Sequence, residues 1–227
     1  MHIEQGGILE QANTQIGVVQ GIVGIHGWEC TAEGFANHAG TTPMKGRRDA
    51  LLAASRAVIE VREQVLSEPG RQVGTVGFVR AEPGARNIIP GRVIFQLELR
   101  DLDNEKIARI WSRISERFAV IGREEGVELE CKSQQADRSA LTQPAIQNVI
   151  REAARMAGYS SMDLPSGAGH DAQQIARLAP MGMIFIPSRG GISHSPREYS
   201  SPEDLGRGAE VLYRTLLSLD ADLNGSR

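Results

Sequence analysis

Between residues 23 and 133 the chain alternates between two spacings of apolar residues. In some stretches every second residue is apolar, as in Val93, Phe95 and Leu97, which is typical of a strand with one buried face. In others the apolar residues stand three or four apart, which is typical of an amphipathic helix. We predict strands at Gly27 to Ala36, Val73 to Val79, Val93 to Leu99 and Val127 to Cys131, and helices at about Asp49 to Leu66 and Asn104 to Glu125. The order β-α-β-β-α-β predicts a ferredoxin-like split βαβ sandwich.

Two flanking parts, residues 1 to 22 and 134 to 227, show an α/β pattern, so the whole chain is a mixture of α+β and α/β. A buried strand is expected at Met183 to Ser188. Helices are expected at Pro144 to Ala157, Ala172 to Leu178 and Pro202 to Leu219. These parts have too few predicted strands for a sheet of their own. We therefore expect them to belong to a larger domain whose other strands precede Met1, an internal methionine of a longer ancestral chain.

A polar segment indicates where the predicted domains meet. The cluster from Ser133 to Ala140 suits a crossing between two domains, which places one domain at 23 to 133 and the other at 1 to 22 with 134 to 227. The final residues, Asp220 to Arg227, are expected to fray.

Composition narrows the possible partners. The 227 residues carry a net charge of −3, so the chain has no basic field for nucleic acid or for a membrane surface, and neither is an expected partner. Cys30 and Cys131 fall on strand patterns and predict core packing rather than a disulfide framework. With no signal peptide and no bilayer-spanning run, the cytoplasm is the expected compartment.

Two histidines far apart in sequence, His2 and His194, stand in polar, glycine-rich surroundings. Neutral imidazole is the commonest transition-metal ligand in proteins, so we interpret both as metal ligands. A lone histidine is more often simply exposed or hydrogen-bonded, and two histidines do not make a metal site. The glycines beside His194 favour a loop shaped for function.

Four further residues have both a functional and a structural interpretation. His170 follows a run of small residues that suits a ligand pocket or a plain helix entry, and spacing leaves both open. Arg100 could bind a carboxylate with two parallel hydrogen bonds, or pair with Asp101 or Asp103. Asn87 could face a ligand or support a turn, and His38 could do chemistry or be a solvated loop residue. His26 is interpreted as structural.

Five motifs occur in an order that resembles the amidase, hydantoinase/carbamoylase family of dimetal amidohydrolases. The motifs are His2-Ile3-Glu4-Gln5-Gly6, Asn37-His38-Ala39-Gly40-Thr41-Thr42-Pro43-Met44, Asn87-Ile88-Ile89-Pro90-Gly91, Ser166-Gly167-Ala168-Gly169-His170-Asp171-Ala172 and Ile192-Ser193-His194. The resemblance covers essentially the whole chain. It is specific for the family and weakly specific for the substrate.

The resemblance implies a role for each matched residue. His2 and His194 would each bind one of two zinc or manganese ions, and Gln5 would face the substrate. His38, Asn87 and Arg100 match residues of a lid and dimerisation domain that reach into the partner subunit's site. There Arg100 would hold the substrate carboxylate and His38 would polarise the scissile carbonyl. His170 would line the same pocket.

The resemblance also implies that part of the family's site lies upstream of Met1. Its first metal histidine, bridging aspartate, glutamate ligand and catalytic glutamate match no position here, so we expect the chain to be inactive alone. The implied reaction is hydrolysis of C–N bonds in N-carbamoyl amino acids, β-ureidopropionate or allantoate by a homodimer. The alternatives are a non-catalytic dimerisation module and an aminoacylase or dipeptidase of the same superfamily.

Overall fold

A computed structural model describes residues 1–225 and divides the chain into two compact units. Unit 1 consists of Met1–Val23 and the chain from Ser139 onward, and unit 2 is Gly24–Arg138. The strands are β1 (His2–Ile3), β2 (Ile16–Ile22), β3 (Gly24–Glu33), β4 (Asn37–His38), β5 (Val73–Glu82), β6 (Ile88–Ile89), β7 (Arg92–Asp101), β8 (Glu128–Asp137), β9 (Ala140–Leu141), β10 (Ser161–Ser166) and β11 (Ile184–Ile186). The α-helices are α1 (Ile8–Gln11), α2 (Ala50–Leu66), α3 (Asn104–Glu125), α4 (Pro144–Met156), α5 (Ala172–Ile175) and α6 (Pro202–Gly225).

Unit 2 is built on a four-stranded antiparallel sheet with the strand order β5-β7-β3-β8. Alternate residues of β3, such as Trp28 and Ala32, are buried in the same core as the apolar residues of α2 and α3. The Trp28 and Trp111 rings stack with their centroids 4.1 Å apart. The apolar faces of the strands and of the two helices, which the spacing of their residues predicts, therefore pack together in one core.

Capping residues set the ends of the two long helices of unit 2. The carboxylates of Asp49 and Asp103 accept hydrogen bonds from backbone N–H groups in the first turns of α2 and α3. Gly126 ends α3 in the left-handed conformation, with φ of 63°. The bounds of α3 match the predicted helix because caps and periodicity are both local in sequence.

The predicted end of the last strand of unit 2 was too early. Strand β8 continues to Asp137, so residues 133 to 137, predicted as a crossing between domains, are paired with β3. The side chains from Glu130 onward are mostly exposed because β8 is at the edge of the sheet. An exposed strand has no apolar alternation, so the pattern ended before the backbone pairing did.

Cys30 and Cys131 form a disulfide, which corrects the expectation of two separate core cysteines. They are 101 residues apart in sequence but directly opposite each other on β3 and β8. Both also pack in the core of unit 2, as predicted. Disulfides persist mainly in oxidising compartments, so cysteine usage no longer supports the cytoplasmic prediction.

Unit 1 has a sheet of its own, contrary to the expectation of too few strands. Its five strands are ordered β1-β11-β2-β10, with β9 also paired to β2. Strands β1 and β9 are only two residues long, and β10 contains Pro165, so these three gave no strand signal. Strand β11 lies within the buried strand predicted at Met183 to Ser188. Val18 and Val19 enter different apolar clusters because successive side chains of a strand point to opposite faces.

Helix α6 continues to Gly225, so most of the segment predicted to fray is helical, and residues 226 and 227 lie outside the described residues. Within residues 1–225, no helix is both long enough and apolar enough to cross a bilayer.

Candidate functional site

In unit 1, His2 opens strand β1 and its ring is fixed by its own backbone neighbour. Its Nδ1 lies 2.8 Å from the carbonyl oxygen of Ile3. Because a carbonyl oxygen only accepts, Nδ1 carries the proton and Nε2 keeps a lone pair. Metal-binding histidines use this arrangement, with one nitrogen donating to a carbonyl and the other facing the ion.

The ring of His170 meets the ring of His2 edge to face, with centroids 4.5 Å apart. The Ser166 hydroxyl donates to the Ala168 carbonyl oxygen at 2.8 Å, so its oxygen accepts from Nε2–H of His170 at 2.9 Å. Nδ1 of His170 is then the nitrogen with a lone pair. Burial lowers the pKa of the His170 ring, and Asp171 opposes this shift.

A chain of hydrogen bonds joins the loop after β1 to the loop that carries His194. The Gln5 side-chain amide donates to the Ser193 hydroxyl oxygen at 3.0 Å, and the Ser193 hydroxyl donates to a carboxylate oxygen of Glu198 at 2.7 Å. The same Glu198 oxygen accepts the backbone N–H of His194 at 3.0 Å. Two segments 188 residues apart are thus held together by polar side chains.

Both loops have unusual backbone conformations. Gln5 and His194 have φ of 58° and 54°, in the left-handed region that non-glycine residues seldom adopt. Gly191, with φ of 63°, lies so close to the Gly7 backbone that a Cβ atom would be 2.8 Å from its nitrogen. Such conformations persist only where surrounding contacts enforce them, and they cluster at functional sites.

Glu198 is the acidic group of this cluster. The hydrogen bond from the Ser193 hydroxyl lowers the pKa of its carboxyl group, the His194 backbone N–H lowers it further, and the charges of His194 and His2 act in the same direction. Both predicted metal ligands therefore lie within electrostatic reach of one carboxylate.

The capacity of this cluster for a metal ion is limited. Among the side chains that the structure describes, those of residues 1–221, no group of three His, Cys, Asp or Glu is arranged to hold a metal. His2 has the tautomer of a metal ligand. The residues of this cluster could therefore supply part of a metal site, but they do not form a complete one. The chemistry derived for this chain therefore comes from its own side chains.

In unit 2, His38 stands in strand β4, at the start of a polar loop. Its Nδ1 accepts backbone N–H bonds from Gly40 at 3.0 Å and Thr41 at 3.2 Å. The proton of the neutral ring is therefore on Nε2, on an exposed side chain. A fixed N–H of this kind can donate to a carbonyl oxygen and stabilise the negative charge that develops there.

Asn87 immediately precedes β6, which pairs with β4. Its backbone oxygen accepts the N–H of Ala39 at 2.9 Å, and its side chain is exposed. The structure therefore brings Asn87 and His38 onto adjacent segments of one small two-stranded sheet.

Arg100 lies on β7, on the sheet face opposite the core, and its Nε donates to Glu98 at 2.5 Å. Of the two carboxylates named by the structural interpretation, Asp101 pairs with Lys106 and Asp103 caps α3. The structure joins Arg100 to Glu98.

Sequence reasoning assigned no role to Glu198, Ser193 or Arg47. Glu198 and Ser193 flank His194 within four residues, so a search for polar partners of the predicted ligand would have found them. Arg47 donates hydrogen bonds to the carbonyl oxygens of Ala39, Thr42 and Pro43 in the His38 loop. No sequence pattern indicates that fold of the loop.

Comparison with known proteins gives concordant matches. The family model described as Peptidase family M20/M25/M40 matches residues 1–218. An N-carbamoyl-L-amino acid amidohydrolase of Geobacillus stearothermophilus is 42% identical over 219 residues, which are 96% of this chain and 53% of that protein. An allantoate amidohydrolase of Bacillus subtilis is 36% identical over 219 residues, again 96% of this chain and 53% of that protein.

Among solved structures, an amidase of the hydantoinase/carbamoylase family from Burkholderia multivorans superposes with a TM-score of 0.92 at 40% identity. The match covers 95% of this chain and 53% of that one. The chain thus spans about half the length of the curated relatives it matches.

Proposed function

Because the chain belongs to peptidase family M20/M25/M40, we propose that it forms part of a metal-dependent amidohydrolase acting on C–N bonds of N-carbamoyl amino acids or allantoate-like ureido acids. Relatives that carry these names support the substrate class. The observation that carries the proposal is the convergence in unit 1 of three motifs distant in sequence. His2 contacts His170, and Gln5 is bonded to Ser193 beside His194.

Unit 1 would contribute ligands and pocket walls. His2, through Nε2, and His194 would each bind one of two divalent ions, zinc or manganese. Such ions polarise a carbonyl group and lower the pKa of bound water. Gln5 would donate its amide to the substrate, and His170 would line the pocket. The Ser193 and Glu198 bonds would keep the His194 loop in one conformation.

Unit 2 would contribute substrate recognition. Arg100 can hold a carboxylate through two parallel N–H bonds, which a lysine cannot reproduce. Nε2–H of His38 would donate to the oxygen of the scissile carbonyl, and the Asn87 amide would add a further hydrogen bond to the substrate. These roles suit ureido and carbamoyl acids because those substrates have both a carboxylate and a polar carbonyl group.

We also propose that unit 2 is a ferredoxin-like lid and dimerisation domain. Its β-α-β-β-α-β order supports this assignment. Strand β5 is at the edge of the sheet, where Val73, Phe78 and Val79 are exposed, and helix α2 exposes Leu52 and Ile59. An edge strand with unpaired backbone groups and apolar side chains is suited to pairing with a second copy.

The test compares the chain alone with a chimera in which it replaces the matched 219 residues of the Geobacillus stearothermophilus relative. Metal content and hydrolysis of N-carbamoyl amino acids and of allantoate are measured for both proteins. We expect the chimera to bind metal and turn over at least one of these substrates. We expect the chain alone to show no turnover, because its described residues contain no three-donor metal cluster.

Variants of the chimera test the individual roles. His194→Ala should abolish metal-dependent turnover, whereas Arg197→Ala, an exposed change in the same loop, should not. Arg100→Ala should chiefly raise KM, with Arg92→Ala on the same strand as the control. A folded chimera that hydrolyses N-acyl but not N-carbamoyl amino acids would favour an aminoacylase. A folded chimera without any turnover would favour a non-catalytic dimerisation module.

A further inference from the structure

The loop that carries His38 has little apolar anchoring. His38, Gly40, Thr41 and Pro43 are all exposed. Within the loop, the backbone N–H and the hydroxyl of Thr42 both donate to the carbonyl oxygen of His38, at 3.1 and 2.7 Å. Because no core packing fixes this segment, its conformation depends on polar contacts.

Arg47 makes the most extensive of these contacts. Its Nη2 donates to the carbonyl oxygens of Ala39 at 2.7 Å and Thr42 at 2.6 Å, and its Nε donates to that of Pro43 at 3.3 Å. One guanidinium thus binds three carbonyl groups on both sides of the turn. A planar fork of fixed N–H groups can do this, whereas an ammonium group has no such fork.

The carbonyl groups held by Arg47 flank the amides that orient His38. The Ala39 carbonyl belongs to the same peptide group as the Gly40 N–H, which donates to Nδ1 of His38. A peptide group is planar, so fixing its oxygen fixes the direction of its N–H. The Thr41 N–H is the second donor to Nδ1. In sequence it lies between the carbonyl groups of Ala39 and Thr42, which Nη2 of Arg47 binds.

We propose that Arg47 is a positioning residue that directs the Gly40 and Thr41 amides at Nδ1 of His38 and thereby holds Nε2–H as an outward-facing donor. The hydrogen bonds that orient His38 can be measured whether or not the chain has enzymatic activity. The use of that donor on a substrate carbonyl rests on the proposed function.

A purely structural arginine would behave differently, and the chain offers one beside it. Arg48 donates through Nε to the carbonyl oxygen of Gly126 at 2.7 Å and so bonds the C-cap of α3. Its removal affects the scaffold of unit 2 and none of the described bonds to the His38 ring. Lys45, exposed in the same segment, is the control for loss of a positive charge.

The experiment is NMR on the ¹⁵N-labelled 227-residue chain and its Arg47→Ala, Arg47→Lys, Arg48→Ala and Lys45→Ala variants. Three quantities are measured: the coupling across the hydrogen bonds from the Gly40 and Thr41 amides to Nδ1 of His38, the imidazole nitrogen shifts, and hydrogen exchange of those amides. The fluorescence of Trp28 and Trp111, in the core of unit 2, reports whether each variant is folded.

In Arg47→Ala we expect the coupling to disappear and exchange of the two amides to accelerate by about ten-fold or more, since three hydrogen bonds are lost. Arg47→Lys should lose most of the coupling, and the two controls should keep it. A folded Arg47→Ala chain with wild-type coupling and exchange would overturn the proposal. If Arg47→Ala unfolds, wild-type coupling in Arg47→Lys would overturn it, and lost coupling in a folded Arg47→Lys would support it. Failure of the chimera to hydrolyse any substrate would leave these readouts unchanged.

Discussion

At the scale of single residues, the candidate site depends on polar contacts that fix tautomers and loop conformations. The Ile3 carbonyl fixes His2, Ser166 fixes His170, and two backbone amides fix His38. Each imidazole then presents one defined nitrogen, either a donor or an acceptor. The three rings are therefore oriented before any ligand is present.

Glu198 should be needed for the conformation of the His194 loop. In Glu198→Ala the Ser193 hydroxyl and the His194 N–H lose their shared acceptor, and the left-handed φ of His194 loses a contact that enforces it. We expect hydrogen exchange at the His194 amide to accelerate by about ten-fold. Glu203→Ala, which removes a nearby exposed carboxylate, is the matched control. Unchanged exchange in Glu198→Ala would show that other contacts hold the loop.

His26 should make the stability of unit 2 depend on pH. Its Nε2 is buried without a described hydrogen-bond partner, and burial lowers its pKa from the ordinary value of 6.5. Asp137 opposes this shift and Arg138 adds to it. Between the folded and unfolded pKa values the unfolded chain binds more protons, so the free energy of unfolding should fall as pH falls below about 6.5.

The check is urea unfolding of the wild type and of His26→Gln at pH 7.5 and pH 5.5, monitored by tryptophan fluorescence. The variant should lose less stability than the wild type between the two pH values. Equal losses in the two proteins would exclude His26 as a source of the pH dependence.

At the scale of elements, local patterns and capping residues determined where the long elements of unit 2 lie. Helix α3 and strand β7 could be predicted because periodicity and caps involve neighbours in the chain. The two-residue strands β1 and β9 of unit 1 could not, since two residues have no period. Their strand conformation comes from partners distant in sequence, such as Phe185 beside His2.

Strand β5 and helix α2 should form the predicted homodimer interface. Val79 of the edge strand is 49% exposed, and a lysine there would place a charge in a paired edge. Val79→Lys should therefore shift the chain from dimer to monomer in multi-angle light scattering. Leu178→Lys, at a residue of unit 1 that is 86% exposed, should leave the mass unchanged. A wild-type chain that stays monomeric at high concentration would contradict the predicted dimer.

At the scale of the whole molecule, the chain has two units with separate cores, and the only disulfide within residues 1–225 belongs to unit 2. Both tryptophans of the chain, Trp28 and Trp111, are also in unit 2. Tryptophan fluorescence therefore follows the unfolding of that unit alone.

Reduction of the Cys30–Cys131 bond should destabilise unit 2. The bond closes a long loop, which restricts the unfolded chain, and such a bond contributes about 2–4 kcal/mol. The urea midpoint of tryptophan fluorescence should fall on addition of dithiothreitol. The double variant Cys30→Ala, Cys131→Ala should have a low midpoint that does not respond to reductant. A wild-type midpoint that is insensitive to reductant would contradict the contribution of the bond.

The sequence by itself determined the family and the long elements. The family resemblance read from five motifs is confirmed by the match of residues 1–218. Motifs, caps and hydrophobic periods are strings of neighbouring residues, so they can be read without a fold. The structure divides the chain after Val23 and after Arg138, and β8 extends further than its pattern predicted.

Only the tertiary structure decided which distant residues meet. The His2–His170 contact, the Gln5–Ser193 hydrogen bond and the Cys30–Cys131 bond join segments that are roughly 100 to 190 residues apart. Such pairings follow from strand order and register, which arise when separate apolar faces are buried together. A local pattern predicts that one face of an element will be buried. Only the folded chain determines which residues pack against that face.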